Sequence, residues 1–388
     1  MSEVPIVYLD WAATSPMRPV AVEVMLPLLR DGFGNPSGGH AVARAARKVL
    51  EESRDIVASC LGADPHDVIF TSGGTEADNM AVRGAVDRAA GIAVCSAVEH
   101  HAVLDPVIAL GGRTVAVDAV GRVYPEALAA ALDDDVTLVS VMLANNETGV
   151  VQPLAEVAEV VRRQAPRALL HTDAVQAVCW LDVADLVSVA DLVSVSAHKF
   201  GGPKGVGALV VRPGVELAPL LRGGGQEQER RSGTQNVAGI AAMAAALAET
   251  VAERVEVSER VRARRDRLED GLQAAVEGLR PTSPREARIP ALCHVLVPDV
   301  LSESMLLLLE RGGVMASAAS SCASGAMDPS HVLAAMGVDR REAMGSLRLS
   351  LGRDTSDADI DRALEVIPAA VAQLRAAVSA LNTGPAAT

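Results

Sequence analysis

The stretch Asp191-Leu-Val-Ser-Val-Ser-Ala-His-Lys-Phe-Gly-Gly-Pro-Lys-Gly-Val-Gly-Ala-Leu-Val210 decides the fold. Leu192 to Val195 alternates apolar and polar residues, the period of a half-buried strand. The strand delivers Ser196, His198 and Lys199 one after another to its carboxyl end. A turn rich in Gly and Pro follows (Gly201, Gly202, Pro203, Gly205, Gly207), and Ala208 to Val211 leads back into the fold. A lysine at such a turn is ordinarily solvated. Lys199 gains a role only if the rest of the chain builds a pocket around it.

Working outward, the same strand, turn and helix grammar repeats. Ile6 to Leu9 reads as a short strand, residues 17–31 as a helix, and Gly32 to Gly39 as a loop. Between Ala41 and Leu61, Val42, Ala46, Val49, Ser53, Val57 and Cys60 recur at helical spacing, which predicts a buried face carrying Cys60. A strand at 67–70 runs through Thr71-Ser-Gly-Gly-Thr-Glu76 into a helix over 77–88. That geometry aims free N–H groups at an anion, although the turn is neither a Walker A loop nor GxGxxG. Further strands are predicted at 93–96, 136–144 and 168–173, with a helix over 154–164. Polar residues gather where these strands end. Such alternation predicts a doubly wound, mostly parallel sheet whose ligand lies outside the strand ends. After Thr234 the alternation stops. Residues 235–279 read as helix, followed by a smaller α+β region with strands near 294–297 and 347–351. The last helix opens on Ser356-Asp-Ala-Asp359, a capping box with Asp in place of Glu. A large domain over 16–255 and a small one from 1–15 with 256–388 are the expected division.

The composition narrows the function. The chain has 388 residues, of which 49% are hydrophobic and 22% charged, enough for a sizeable core. Aromatic residues are only 2% and the net charge is -14, which disfavours base-stacking platforms and phosphate-backbone partners. Five scattered cysteines (Cys60, Cys95, Cys179, Cys293, Cys322) form neither a CxxC pair nor a disulfide framework. The longest apolar stretch, 237–248, is too short to span a bilayer. A reducing cytoplasm and no membrane contact are the expectation.

The residues at the strand ends suit one cofactor. Pyridoxal phosphate needs a lysine for a Schiff base, a carboxylate for its ring nitrogen and donors for its phosphate. Lys199 can supply the first and Asp173 the second. Thr75 at a helix N-terminus, with Ser196 and His198, can supply the third. Each residue alone has a duller explanation, a cap for Asp173 and Thr75 and a surface position for His198. Together they form a set.

The chain resembles the cysteine desulfurases of the NifS/IscS type, within the class V aminotransferase-like group of fold-type I pyridoxal enzymes. The motifs are Tyr8-Leu-Asp-Trp-Ala-Ala-Thr14, Phe33-Gly-Asn-Pro36, Phe70-Thr-Ser-Gly-Gly-Thr-Glu-Ala-Asp-Asn79, Glu99-His100, Asn145-Asn-Glu147, Thr172-Asp-Ala-Val-Gln176, Ser196-Ala-His-Lys199, Arg231-Ser-Gly-Thr234 and Arg348-Leu-Ser-Leu-Gly-Arg353. The resemblance implies a homodimer that converts L-cysteine to L-alanine and leaves a persulfide on Cys322 for a sulfur-acceptor protein, in iron–sulfur cluster assembly or another thiolation pathway. It further implies that Lys199 is the Schiff-base lysine and moves the Cα proton, and that His100 stacks on the ring as an acid/base. Asp173 would bind the ring nitrogen, with Gln176 and Asn146 at the phenolic oxygen. Gly74, Thr75, Ser196 and His198 would grip the phosphate with Thr234 from a second subunit, and Arg348 and Asn146 would hold the substrate. The alternation of Leu347, Leu349 and Leu351 leaves Arg348 on the opposite face of its strand, as that role requires.

Cys322 lies in Val314-Met-Ala-Ser-Ala-Ala-Ser-Ser-Cys-Ala-Ser-Gly325, a run of small residues without apolar periodicity that suits a loop. The other four cysteines read as inert core thiols. The chain departs from relatives at Trp11, where Asn is common, at Gln226, where some have His, and at Ala318-Ala-Ser-Ser beside Cys322. A selenocysteine lyase, an aminotransferase or a non-catalytic scaffold on the same fold are the alternatives at this point.

Overall fold

The computed structural model describes residues 5–318 and 329–382. In chain order the strands are β1 (Val7–Tyr8), β2 (Val68–Thr71), β3 (Ile92–Ser96), β4 (Arg113–Val115), β5 (Val136–Ser140), β6 (Leu169–Asp173), β7 (Leu192–Ser196), β8 (Gly207–Val211), β9 (Arg280–Pro281), β10 (Leu292–Leu296), β11 (Val314–Met315) and β12 (Ser346–Ser350). Seven of them form one sheet in the order β2-β8-β7-β6-β5-β3-β4. Neighbours from β7 to β4 pair in parallel, while β8 runs antiparallel to both β2 and β7. The predicted doubly wound, mostly parallel sheet is present. Its central strands are buried throughout, β7 and β8 at every residue, because helices cover both faces.

One face packs on the core that includes Val57, Leu61, Phe70, Val139, Val193, Val195 and Leu247, the other on Ile69, Met80, Cys95, Leu138, Leu192 and Leu209. A separate core joins Val7 and Leu9 to Val257, Leu268, Leu272, Leu347, Leu349, Leu351 and Ile367, around the three-stranded sheet β12-β10-β9. The helix Val237–Ala275 serves both cores, with Ile240 to Leu247 in the first and Val257 to Leu272 in the second. The last described helix, Asp357–Asn382, begins with the predicted capping box. Ser356 N–H donates to Asp359 at 2.7 Å, and Asp359 N–H donates to the Ser356 hydroxyl at 3.2 Å.

Three sequence readings shift: β7, read from its alternation as half-buried, is buried at every residue. Strand β5 ends at Ser140 rather than 144, although Val141 N–H and Leu143 N–H still donate to β6, to His171 O at 3.1 Å and Asp173 O at 2.9 Å. In the helix Ala41–Leu61 the buried stripe runs through Ala43, Ala46, Leu50, Ser53, Arg54, Val57 and Leu61. Cys60 is therefore half-buried and Val42 exposed, a stripe rotated by one position from the periodicity reading. Arg54 takes a place on that stripe because Glu227 meets its guanidinium in two hydrogen bonds, of 2.8 and 3.0 Å. Glu227 also accepts from Phe70 N–H at 2.9 Å, tying the loop 223–233 to β2. Removing one partner of such a pair strands a buried charge. Glu227→Ala is expected to destabilise the fold by about 3–5 kcal/mol, read as the urea midpoint.

Candidate active site

The carboxyl ends of β2, β3, β5, β6 and β7 open into a cavity of about 400 Å³. Gly74 and Thr75 reach it from the turn after β2, and His100 from the end of β3. Met142, Asn146 and Glu147 come from the loop after β5, Asp173 from the end of β6, and Ser196, His198 and Lys199 from β7 and its turn. Asp78, His101, Val175, Gln176, Ser317, His331 and Arg348 complete the wall with Ala12 and Ala13. The structure brings together every sequence-predicted site residue except two. Thr234 is exposed and does not line the cavity, and Cys322 lies outside the described residues.

The turn after β2 depends on glycine at two points. Gly73 has φ 152° and ψ -179°, a region open to almost no other residue. A Cβ on Gly207 would sit 2.7 Å from the Gly73 carbonyl carbon, so the turn lies flat against β8. The helix Gly74–Ala89 starts here with no side-chain cap, which leaves its first N–H groups for an anion. Ser196, buried at the end of β7, faces the same point: a Cβ on Gly74 would meet its side chain at 3.3 Å.

Lys199 Nζ donates to the carbonyls of Ala12 at 2.6 Å and Ala13 at 3.0 Å. Burial, then the Arg348 charge, lowers its pKa to about 8, against the pull of Asp173 and Asp10. Asp173 accepts from Val175 N–H at 2.8 Å. Burial pushes its carboxyl up to about 6, with that hydrogen bond and Lys199 acting the other way. His100 takes Ala102 N–H on Nδ1 at 3.1 Å, which leaves Nε2 to carry the proton. Burial and then the Lys199 charge lower its pKa. His198 Nδ1 is 3.1 Å from the Thr14 hydroxyl, and burial ahead of Lys199 and Lys204 lowers its pKa to about 4.

Arg348 is 6% exposed, and its Leu347, Leu349 and Leu351 neighbours fill the second core as the alternation predicts. Its guanidinium pairs with Asp10 at 2.8 Å and donates to Asn146 O at 3.0 Å, while Nε has no hydrogen-bond partner. Gln176 Nε2 donates to Ala12 O at 2.8 Å. Trp11, one of the departures noted in the sequence, lies under the Arg353 guanidinium at 5.5 Å, and Gln226 accepts Gly233 N–H at 2.8 Å. Sequence reasoning gave no site role to Asp10, Asp78, Glu147 or His331; Asp10, Asp78 and Glu147 lay inside quoted motifs, but no spacing marked them.

The class-V aminotransferase family matches residues 7–363. The chain belongs to that family. Among its relatives, the IscS-like cysteine desulfurase of Mycobacterium tuberculosis is 44% identical, covering 96% of this chain and 98% of that one. The cysteine desulfurase IscS of Methanosarcina thermophila is 41% identical over 95% and 93%. A solved NifS-like protein superposes with a TM-score of 0.88 at 35% identity, over 95% of this chain and 100% of its own. DndA of Streptomyces lividans superposes at 0.74 with 34% identity, over 88% and 99%. The cofactor of the chain is pyridoxal phosphate. The donor set fits it: an uncapped helix end beside Ser196 for a phosphate, an acid for a ring nitrogen, and an amine of lowered pKa in the same cavity. Because Gly73 holds the turn in a glycine-only conformation, Gly73→Ala is expected to cost about 1–3 kcal/mol in thermal unfolding. It should also weaken pyridoxal phosphate binding, measured by equilibrium dialysis.

Proposed function

We propose that this cavity converts L-cysteine to L-alanine and passes the sulfur to Cys322 as a persulfide, the reaction for which its desulfurase relatives are named. The observation that carries the reading is Lys199, Asp173 and Arg348 facing one cavity beside an uncapped helix end. Lys199 would hold the cofactor covalently, Asp173 its ring nitrogen, and Gly74, Thr75, Ser196 and His198 its phosphate. Thr234 of a second copy would join them, and Asn146 and Gln176 would serve the phenolic oxygen. When bound, pyridoxal phosphate supplies an electron sink for negative charge at the substrate Cα.

The rest follows from side chains of this chain. Arg348 lines the cavity with Asp10 fixing its guanidinium, which suits it to the substrate carboxylate. Lys199 Nζ, with its pKa near 8, can take and return a proton at neutral pH. His100 presents a proton on Nε2 at the rim. The Cys322 thiolate attacks the substrate sulfur; an S–S bond forms as the C–S bond breaks, the C–S electron pair goes to Cβ, Cβ takes up a proton, and alanine leaves. Exposed Val22, Leu26, Leu29 and Phe33 give the homodimer an apolar face. An acceptor protein of an iron–sulfur or thiolation pathway then takes the sulfur. No described helix is long and apolar enough to cross a membrane, and we place the reaction in a reducing cytoplasm.

Lys199→Ala is expected to abolish the visible absorption band of covalently bound cofactor, and Cys322→Ser to abolish sulfide release from L-cysteine under reductant. Full sulfide release by Cys322→Ser would overturn the persulfide step. The carboxyl of Asp173 sets a second expectation. It must be ionised to hold a cationic ring nitrogen, and its folded-state pKa of about 6 means that it gains a proton as pH falls through that value. Cofactor affinity of the apoprotein should therefore be flat above about pH 6 and fall by about tenfold per unit below it, as measured by fluorescence titration.

A further inference from the structure

The loop between β8 and the helix Val237–Ala275 contains a backbone outlier. Three consecutive residues that are not glycine, Glu227, Gln228 and Glu229, have φ of 47°, 59° and 64°. Left-handed residues of this kind occur singly in ordinary chains. A run of three persists only where its surroundings hold it. The holding contacts lie on both sides of the run. Before it, Glu227 is buried against Arg54 and Phe70 N–H, and Gln235 Nε2 also donates to it at 3.2 Å. After it, Arg231 makes a two-pronged pair with Glu76: Nε donates to Oε1 at 2.7 Å and Nη2 to Oε2 at 3.1 Å. The Arg231 side chain is 20% exposed and that of Glu76 12%, so the pair is largely shielded from water.

Glu76 is the third residue of the helix Gly74–Ala89, directly after Thr75, at the helix end that has no side-chain cap. A carboxylate in a first turn lies in the field of the positive helix end and ordinarily folds back on its free N–H groups. Those N–H groups are the ones assigned above to a phosphate, and a bare carboxylate beside them would repel it. Glu76 is drawn elsewhere. Its Oε2 accepts Ser72 N–H at 2.8 Å, ahead of the helix, and Arg231 engages both oxygens. Burial works against ionisation of Glu76, yet the Arg231 and Ser72 hydrogen bonds outweigh it and hold the carboxyl below the usual carboxylate range.

We propose that Arg231 is a positioning residue for the phosphate of the cofactor: its fork neutralises Glu76 and holds that carboxylate away from the helix end. The strained turn at 227–229 is what delivers the fork there. Glu227 ties the loop to β2 at Phe70, and Arg231, four residues on, ties it to the turn that follows β2, so one loop braces that turn from both sides. Arg231 does not line the cavity and therefore acts through Glu76 rather than by touching the cofactor. A guanidinium suits the task because its paired N–H groups match both carboxylate oxygens and cancel a full charge. The inference rests on the phosphate reading above, which places the phosphate at Gly74 and Thr75.

The test measures the affinity of the apoprotein for pyridoxal phosphate and for pyridoxal, which lacks the phosphate, by equilibrium dialysis. The ratio of the two affinities isolates the phosphate from whatever Lys199 and Asp173 contribute. Arg231→Gln leaves Glu76 uncompensated and is expected to lower that ratio by about tenfold, because a first-turn charge acts most strongly on a doubly charged anion. Glu76→Gln still accepts Ser72 N–H and is expected to keep or raise the ratio. The double variant Arg231→Gln/Glu76→Gln should return to within about threefold of wild type. If Arg231 only held the loop in place, Glu76→Gln would fall with Arg231→Gln and the double variant would not recover. That pattern, or an unchanged ratio in Arg231→Gln, overturns the proposal. If Arg231→Gln does not fold, Arg231→Lys decides, since it keeps the charge and loses the fork: a ratio within about threefold of wild type supports the proposal and a tenfold fall overturns it. Thr75→Asp tests the phosphate reading separately. It should abolish the preference for pyridoxal phosphate; a wild-type ratio in Thr75→Asp overturns that reading and this proposal with it, whereas a loss there with no change in Arg231→Gln overturns this proposal alone.

Discussion

The site depends on one segment, residues 7–15, held between the two cores by hydrogen bonds on both sides. Strand β12 takes it from one side: Ser350 N–H donates to Leu9 O at 2.8 Å, and the Ser350 hydroxyl accepts Ala12 N–H at 2.9 Å. The turn after β7 takes it from the other: Ser15 N–H and its hydroxyl donate to His198 O, at 3.0 and 2.8 Å. The cations of the cavity rest on the same segment, Lys199 on the carbonyls of Ala12 and Ala13 and Arg348 on Asp10. Neither core alone could place both charges. Backbone carbonyls are a suitable anchor, because they orient Lys199 Nζ without a full countercharge that would hold it protonated.

The large sheet supplies the rest through its parallel order. Parallel pairing from β7 to β4 brings their carboxyl ends to one edge, so residues far apart in sequence share one wall. The antiparallel β8 supplies the glycine that lets the turn after β2 approach at backbone distance. The helix Val237–Ala275 fixes the second core to the first. Arg348 therefore enters the cavity from a strand outside the large sheet.

Much of this was legible in the sequence because it follows from periodicity and end chemistry. Alternation at Leu347, Leu349 and Leu351 placed Arg348, the strand at 192–196 placed Lys199, and the capping box at Ser356 formed with Asp in place of Glu. What stayed hidden has a physical reason in each case. Asp78 and Glu99 look like ordinary helix and loop polars; only the fold shows that they are buried. Asp10 precedes an aromatic residue at the start of a turn, where nothing local marks a partner on β12. Arg54 broke the apolar stripe because Glu227, in a distant loop, makes its burial tolerable, and that displaced Cys60 from the buried face. Thr234 is exposed in this chain and does not line the cavity.

The charge balance of the cavity is the reverse of the molecule's. The chain carries a formal net charge of -14, which repels anions at long range. Inside, burial pushes the acids toward their neutral forms: Asp173 to about 6, Glu147 to about 7, and Asp78 well above its ordinary range. Arg348, the open helix end at Gly74 and the protonated share of Lys199 are then less opposed than a count of side chains suggests. A phosphate and an amino-acid carboxylate are the anions such a field receives. Low dielectric makes both halves of this work, since it discharges the acids and strengthens whatever charge persists. The same exclusion of water that makes Asp173 costly to ionise is what makes an ionised Asp173 effective once a cationic partner is present.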